Sequence, residues 1–477
     1  MLGFQPDVQR PNPSAVARAL ADLHRRLGAS KVLTLAESCE VFGRDDSEAL
    51  PHAPDGVVLA ERYDDVAVAL EVAGQHGVPL TPRGGGSGRV GGAIPVAGGI
   101  VLAMSGMKSI LEIDRAEQIA VVQPGLVLAD LHAAVEAEGL FYPPDPNSLA
   151  ACVVGGNVAT NAGGPRAFKY GSTRNYVLGL DVALMGGQRI FVGRRTKKGV
   201  TGYDMTALMV GSEGTLGVVQ DVTLRLLPKP ESIMTLLALF SDVRASGRAV
   251  ERIIAAGILP RCIELLDSGT LEAMRTAGNA IDARAGALLL IEVDGAEAEV
   301  ERDAQRISDV CDDAKALELL VAQDRAQRDR LWAARREMSF AVRRMSKRKL
   351  SEDIVVPRQS IGELLDRVAR AGQEFAVRTL TYGHAGDGNL HVNYLWDHDD
   401  EIPHVELAVD RLFRDVVELR GTLSGEHGIG VMKAPYLHYE QSEAVIDLGR
   451  RIKTVFDPKG LLNPGKIYSG RPGHGSC

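Results

Sequence analysis

The chain has 477 residues, 45% of them apolar and 24% charged, which is ordinary globular composition with length for two or three domains. A formal net charge of −8 at pH 7 argues against a nucleic-acid binder, a class that carries a basic surplus. The cysteines (Cys39, Cys152, Cys262, Cys311 and Cys477) are odd in number, far apart and without a C-x-x-C pair. This excludes a disulfide framework, fits a reducing compartment and leaves no ligand set for an iron–sulfur centre. The opening MLGFQPDVQRPNPS lacks the charged start and apolar core of a secretory signal, and no apolar run approaches the roughly 20 residues of a membrane span. A soluble cytoplasmic protein is expected, with any membrane attachment peripheral and through a partner.

In chain order, SAVARALADLHRRLG predicts a helix with Ser14 as N-cap and Gly28 as stop. DGVVLA, YDDVAVALEVAGQHG and VPLTP follow as strand, helix and strand, a β-α-β unit. GIVLAM and IAVVQPG read as strands, VLADLHAAVEAEG as a helix, and LGLDVALMGG, RIFVG and GVVQDVTLRLLP as further strands. LPKPES (Leu227 to Ser232), with two prolines and no periodicity, is the best linker. Beyond it glycines thin out. ALLLIEVDG reads as a buried strand and GELLDRVARAGQEFAV as an amphipathic helix of a second domain.

After VPLTP comes TPRGGGSGRVGG, in which Gly86 to Gly91 fits G-x-G-x-x-G. A nicotinamide-type fingerprint must open a helix, so that the helix N-terminus faces the pyrophosphate. The following GGAIPVAGGIVLAM carries a proline, more glycines and β-branched residues, so no helix is predicted and the match is accidental. The glycine run instead suits an anion-binding nest of backbone N–H groups. GGNVATNAGG (Gly155 to Gly164) is a second glycine loop, offering Asn157, Thr160 and Asn161, and GSEGTLGVV (Gly211 to Val219) is a third. Three such loops in one β-rich domain point to a long, diphosphate-containing cofactor lying across a crevice.

In TLTYGHAGDGNLHVNYLW, His384 ends one strand and His391 begins the next, with a turn through Gly386 and Gly388 bringing the imidazoles together. Asn393, two residues on, shares the His391 face. SGEHGIG then presents Glu426 and His427 between glycines. Two histidines and a glutamate make a three-ligand metal site with an open position, of the catalytic kind. Zn, Mn, Fe and Co suit these ligands equally.

PRGGGSG, GGNVATNAGG, KYG, GSEGTLGVV, YGHAGDGNLH, SGEHGIG and DPKGLLNPGKI, in that order over about residues 50 to 470, resemble the vanillyl-alcohol oxidase-type flavoprotein superfamily. The similarity is to its D-2-hydroxy-acid dehydrogenase branch: D-lactate dehydrogenases, the flavin subunit of glycolate oxidase and D-2-hydroxyglutarate dehydrogenases. The resemblance implies an α+β fold with a two-part FAD-binding domain, an inserted α/β substrate (cap) domain, and a C-terminal segment returning to the FAD domain. It divides the chain into a helical segment (1–49), the FAD domain (50–228), the cap (229–420) and the returning segment (421–477). It implies FAD contacts from Arg83, Gly84, Gly85, Gly86, Ser87, Gly88, Pro144, Gly155, Asn157, Thr160, Asn161, Gly163, Gly164, Gly211, Glu213, Gly214, Gly217, Val218 and Asn463. Some members tether flavin through a histidine in the first loop; none stands there in this chain, so noncovalent FAD is expected.

The resemblance also places a divalent metal on His384, His391 and Glu426. His427 would be the general base, with a pKa range suited to that task. Arg335, in RLWAARREMS, would grip the substrate carboxylate, and Asn393 would contact substrate. The chain departs from the hydroxyglutarate enzymes in KLSEDIVVP, where Ser351 replaces a lysine; Lys349, two residues earlier, would share its face on a strand. D-lactate or glycolate is therefore favoured over D-2-hydroxyglutarate. The electron acceptor would be a quinone, a cytochrome, an electron-transfer flavoprotein or an iron–sulfur subunit on another chain. Two readings compete: a metal hydrolase, which leaves the glycine loops unexplained, and a non-catalytic flavin subunit.

Overall fold

The computed structural model describes residues 6–469; Cys477 lies outside them. The first helix spans Pro13–Leu27, and its N-cap is Asn12, whose side chain accepts from the Ser14 N–H. Ser14 was the expected cap. Pro13 displaces it, because a proline's fixed φ and missing N–H suit the first helical position. Gly28, at φ 88°, ends the helix as expected.

Two sheets build the N-terminal half. The first runs Val32–Leu33, Gly56–Leu59, Ile100–Ala103, Leu80–Arg83, its last three strands parallel. The helix Tyr63–His76 makes the β-α-β crossover and packs Val66, Leu70 and Ala73 on the sheet. The second sheet is antiparallel: Ile110–Asp114, Ile119–Val122, Val218–Arg225, Val177–Ala183, Arg189–Gly193. Leu131, Val135 and Val158, from helices Leu128–Ala137 and Val154–Thr160, cover it. The second glycine stretch, expected as a loop, thus begins as a short helix that Asn161 ends in a left-handed conformation.

Leu227–Pro228, inside the expected linker, pairs with Leu140–Phe141 before the chain enters a seven-stranded sheet at Ser232. That sheet runs Glu318–Val321, Ser232–Phe240, Ala287–Gly295, Cys262–Asp267, Arg378–His384, Asn389–Trp396, Arg348–Val355. Every pairing in it is antiparallel. Helices cover both faces. Val243–Ala255, Glu297–Asp313, Ile361–Glu374 and Ile402–Glu418 bury one face, and Ser268–Thr276 and Arg325–Arg343 the other. Coverage of both faces explains why Ala287–Ile291, which opens one of its interior strands, reads as an unbroken apolar run.

The chain then returns. Leu80 donates to Leu461 O at 2.8 Å and accepts from Asn463 N at 2.7 Å, setting Leu462 parallel to Leu80. The two halves are also stitched by buried charge: Asp294 takes Lys169 Nζ at 2.6 Å, Tyr170 Oη at 2.8 Å and Arg261 Nη1 at 3.2 Å. Among the described residues no helix is long and apolar enough to cross a membrane.

Candidate active site

A cavity of about 540 Å³ lies between the halves. Its N-terminal wall holds Arg83, Gly84, Gly85, Gly86, Ser87, Gly88, Gly155, Asn157, Thr160, Glu213, Gly214, Gly217 and Val218, so the three glycine stretches do meet. A Cβ on Gly85 would stand 2.5 Å from Ala151 O and one on Gly84 2.7 Å from Val153 Cγ2, so the first loop packs closely on the segment that leads into the second. At Gly88 and Gly156 a Cβ would meet nothing closer than 3.7 Å. Added side chains there would project into free space, which suits an extended ligand lying on bare backbone.

Other residues expected at the cofactor stand behind this wall. Pro144 O accepts from His132 Nε2, and Asn161 Oδ1 accepts from Ser172 Oγ and Arg174 N. Gly164 packs on Asp145, and Gly163 lies under Glu426, 3.2 Å from its Oε2 to a built Cβ. Gly211 N donates to Val158 O. Asn463 Nδ2 ties Gly92 O to Glu213 O.

At the far end of the cavity, strand alternation brings charged groups onto one face of the seven-stranded sheet. Glu264 is the register partner of His384, and His391 stands between Tyr382 and Asp353. The opposite face holds Ile263, Leu265, Leu390, Val392 and Ile354 in the core. His384 Nε2 and His391 Nε2 each approach Glu426 Oε1 to 3.6 Å. One ligand atom from each of the three residues lies within 4.8 Å of the others.

His384 Nε2 and Glu426 Oε2 are buried with no hydrogen-bond partner. The other ring nitrogen of His384 meets Glu264 Oε1 at 2.5 Å, the carboxylate–imidazole arrangement typical of metal-ligating histidines. Burial opposes charge on His384, yet Glu264 and Glu426 hold its pKa well above the ordinary value, a sign of a site rich in negative charge. These residues fit a divalent cation. A second triad, Asp353, His391 and His427, is equally compact, but Asp353 is fully engaged, its Oδ1 by Asn389 and its Oδ2 by Ser424 Oγ and three backbone amides.

His427 stacks on His391 with ring centroids 5.3 Å apart and 11° between planes. Burial lowers its pKa, against the pull of Asp353 and Glu426, so the imidazole is neutral at pH 7 and able to take a proton. Arg335 lines the cavity and is buried, but its Nε and Nη2 bind Glu264 Oε2 at 2.8 and 2.5 Å. Its remaining Nη1 stands outside that pair. Asn393 is fully buried; its Nδ2 donates to the carbonyls of Leu380 and His391, and it does not line the cavity.

The sequence reading missed one group and the surroundings of two that it had noted. Glu264 links His384 to Arg335. Lys349 is buried beside Ser339 Oγ (3.2 Å) and Tyr382 Oη (3.3 Å), and against burial it helps bring Tyr382 down to about 8. Asp353, noted only as part of a motif, holds the SGEHGIG loop. A charge within the apolar strand CIELLD was the available signal for Glu264, since a buried carboxylate requires partners.

Two family models match. An FAD binding domain covers residues 54–193 and the C-terminal domain of FAD linked oxidases covers residues 229–467. The glycolate oxidase subunit GlcD of Bacillus subtilis strain 168 is 41% identical over 90% of this chain and 92% of its own. A D-lactate dehydrogenase of Anaerostipes hadrus is 33% identical over 95% of this chain and 98% of its own. In structure, p-cresol methylhydroxylase superposes with a TM-score of 0.80 at 14% identity, over 97% of this chain and 98% of its own. Two domain models that together match most of the chain, and relatives of 33–41% identity over nearly its whole length, make this protein a member of the FAD-linked oxidases, with a vanillyl-alcohol oxidase-type fold.

Proposed function

We propose that this protein oxidises a small D-2-hydroxy acid, D-lactate or glycolate, to the 2-oxo acid. The observation that carries the reading is that the glycine-walled cleft ends on His391, Glu426 and His427, with His384 grouped behind the first two. The names of the relatives, a glycolate oxidase subunit and a D-lactate dehydrogenase, support the substrate class.

FAD along the glycine wall supplies the hydride acceptor, and a divalent ion (Zn, Mn, Fe or Co) at His384, His391 and Glu426 supplies a Lewis acid. The residues divide the remaining work. His427 Nε2 takes the hydroxyl proton as the C–H bond breaks. Stacking on His391 and the backbone anchors on either side fix the direction of its ring. Arg335, steadied by Glu264, offers Nη1 to the substrate carboxylate. The cofactor is held noncovalently, and its electrons pass to a quinone, a cytochrome, an electron-transfer flavoprotein or an iron–sulfur subunit. Lys349 favours a second reading. It is a buried cation whose hydrogen-bond partners are the neutral Ser339 and Tyr382, and it lines the same cavity, which suits a substrate with a second carboxylate such as D-2-hydroxyglutarate.

The test is an anaerobic visible spectrum before and after D-lactate, glycolate and D-2-hydroxyglutarate, added separately. The flavin bands bleach with D-lactate or glycolate, and His427→Ala abolishes the bleaching. Bleaching with D-2-hydroxyglutarate alone selects the second reading. Bands that none of the three bleaches overturn both.

A further inference from the structure

The SGEHGIG loop lacks regular secondary structure, yet six consecutive amides in it are bound, five of them by only two carboxylates. Asp353 Oδ2, from the seven-stranded sheet, accepts from Gly425, Glu426 and His427 at 2.8, 2.9 and 3.1 Å. Ser424 Oγ takes the Gly428 amide at 3.0 Å. Glu213 Oε1 and Oε2, from the third glycine stretch of the other half, take Ile429 and Gly430 at 2.7 Å each. Both carboxylates are buried; burial pushes Glu213 up to about 7, and the Ile429 and Gly430 amides pull against that shift, since backbone N–H groups aimed at a carboxylate favour its charged form. His427 hangs between two anchors, one in each half of the molecule.

Glu213 is itself held in place. It stands at φ 52°, a left-handed conformation costly for a residue with a side chain. Its amide donates to Ala159 O, and its carbonyl accepts from Asn463 Nδ2. Gly428, at φ 87°, leaves room for a Glu213 oxygen that would lie 2.8 Å from a Cβ there. Both oxygens of Glu213 are thus spent on the loop, although the residue lines the cofactor wall.

We infer that Glu213 is a positioning residue for His427, fixing the imidazole against the cofactor wall by gripping the loop just beyond it. This rests on the proposed role of His427 as the base. Glu213 acts through the Ile429 and Gly430 amides and not on the substrate, and a displacement of the base by about 1 Å is enough to cost about 10²-fold in rate.

The test uses full-length Glu213→Gln, which replaces one acceptor with an NH₂ facing an amide, and Gly428→Ala, which pushes on the same contact from the loop side. Both variants are purified with FAD and metal. Three quantities are compared with the parent: flavin and metal per protein, the limiting rate of anaerobic flavin reduction together with the apparent substrate Kd, and the rate at which diethyl pyrocarbonate modifies His427, read by mass spectrometry. Flavin and metal contents and the apparent Kd stay within about two-fold, the limiting rate falls about 10²-fold, and His427 reacts several-fold faster. Loss of flavin with an unchanged rate per remaining flavin would make Glu213 a cofactor contact and overturn the inference. So would unchanged rate and unchanged reactivity in both variants. If Glu213→Gln does not fold, Gly428→Ala decides. If the parent is not reduced by any hydroxy acid, the proposed reaction fails, and the His427 modification rate still decides the positioning role.

Discussion

Glu264 is where one side chain joins two tasks. One oxygen receives His384 and the other receives Arg335, so the orientation of a metal ligand and the aim of a substrate arginine depend on one carboxylate. Glu264→Gln removes the charge and keeps the shape. Metal affinity measured by competition with a chelator should fall about 10–100-fold, and the apparent substrate Kd should rise with it. A variant that binds metal like the parent would detach Glu264 from the site. His132 is a buried base used only for packing. Burial and Arg166 push it down to about 4, and its Nε2 donates to Pro144 O. The folded state therefore refuses a proton that the unfolded chain accepts below about 6.5, so His132 removes stability as pH falls from about 6.5 to about 4. At the lower limit this amounts to about 3 kcal/mol. Asp145, raised by burial to about 6, acts in the opposite sense, so the comparison must be parent against His132→Gln. Denaturant melts should show the parent losing stability relative to the variant over that pH range; parallel pH profiles would refute the assignment.

At the scale of elements, period-two alternation made much of the site legible. Reading TLTYGH and NLHVNY as strands brought His384 and His391 to one place: His384 ends its strand as expected, whereas His391 is the third residue of the next rather than its first and lies diagonal to His384, opposite Tyr382. The same alternation placed Lys349, Ser351 and Asp353 on one face. What stayed illegible was tertiary. Nothing in CIELLD says that Glu264 meets His384 across 120 residues. Asn393 shares the His391 face as read, but spends its amide on carbonyls, a choice that only packing decides. The helical start of GGNVATNAGG was missed because glycine weakens helix propensity, and packing of Val154 and Val158 on the second sheet overrides that. Gly85 gives this scale its prediction. A Cβ there would meet the Ala151 carbonyl at 2.5 Å, backbone that cannot swing aside, at a cost of about 1–3 kcal/mol. Gly85→Ala should keep its fold by circular dichroism and retain markedly less FAD through gel filtration. Full retention would show that the first loop need not pack closely on the segment that leads into the second.

For the whole molecule, the order of motifs along the chain carried the architecture, because each glycine stretch lies beside a strand of a sheet that local pattern could place. Sequence could not convey how the halves are joined. Asp294 meets Lys169 and Tyr170 of the KYG motif and Arg261, and no local pattern in those segments signals the pairing. The return of the chain to Leu80 has a further consequence. The strand Leu80–Arg83 leads directly into the first glycine loop, and among the described residues its outer edge is closed by Leu461 and Asn463, more than 370 residues later. A polypeptide that has not yet gained residues 461–463 cannot close that edge, so the strand that feeds the first glycine loop stays open until the returning segment folds back onto it.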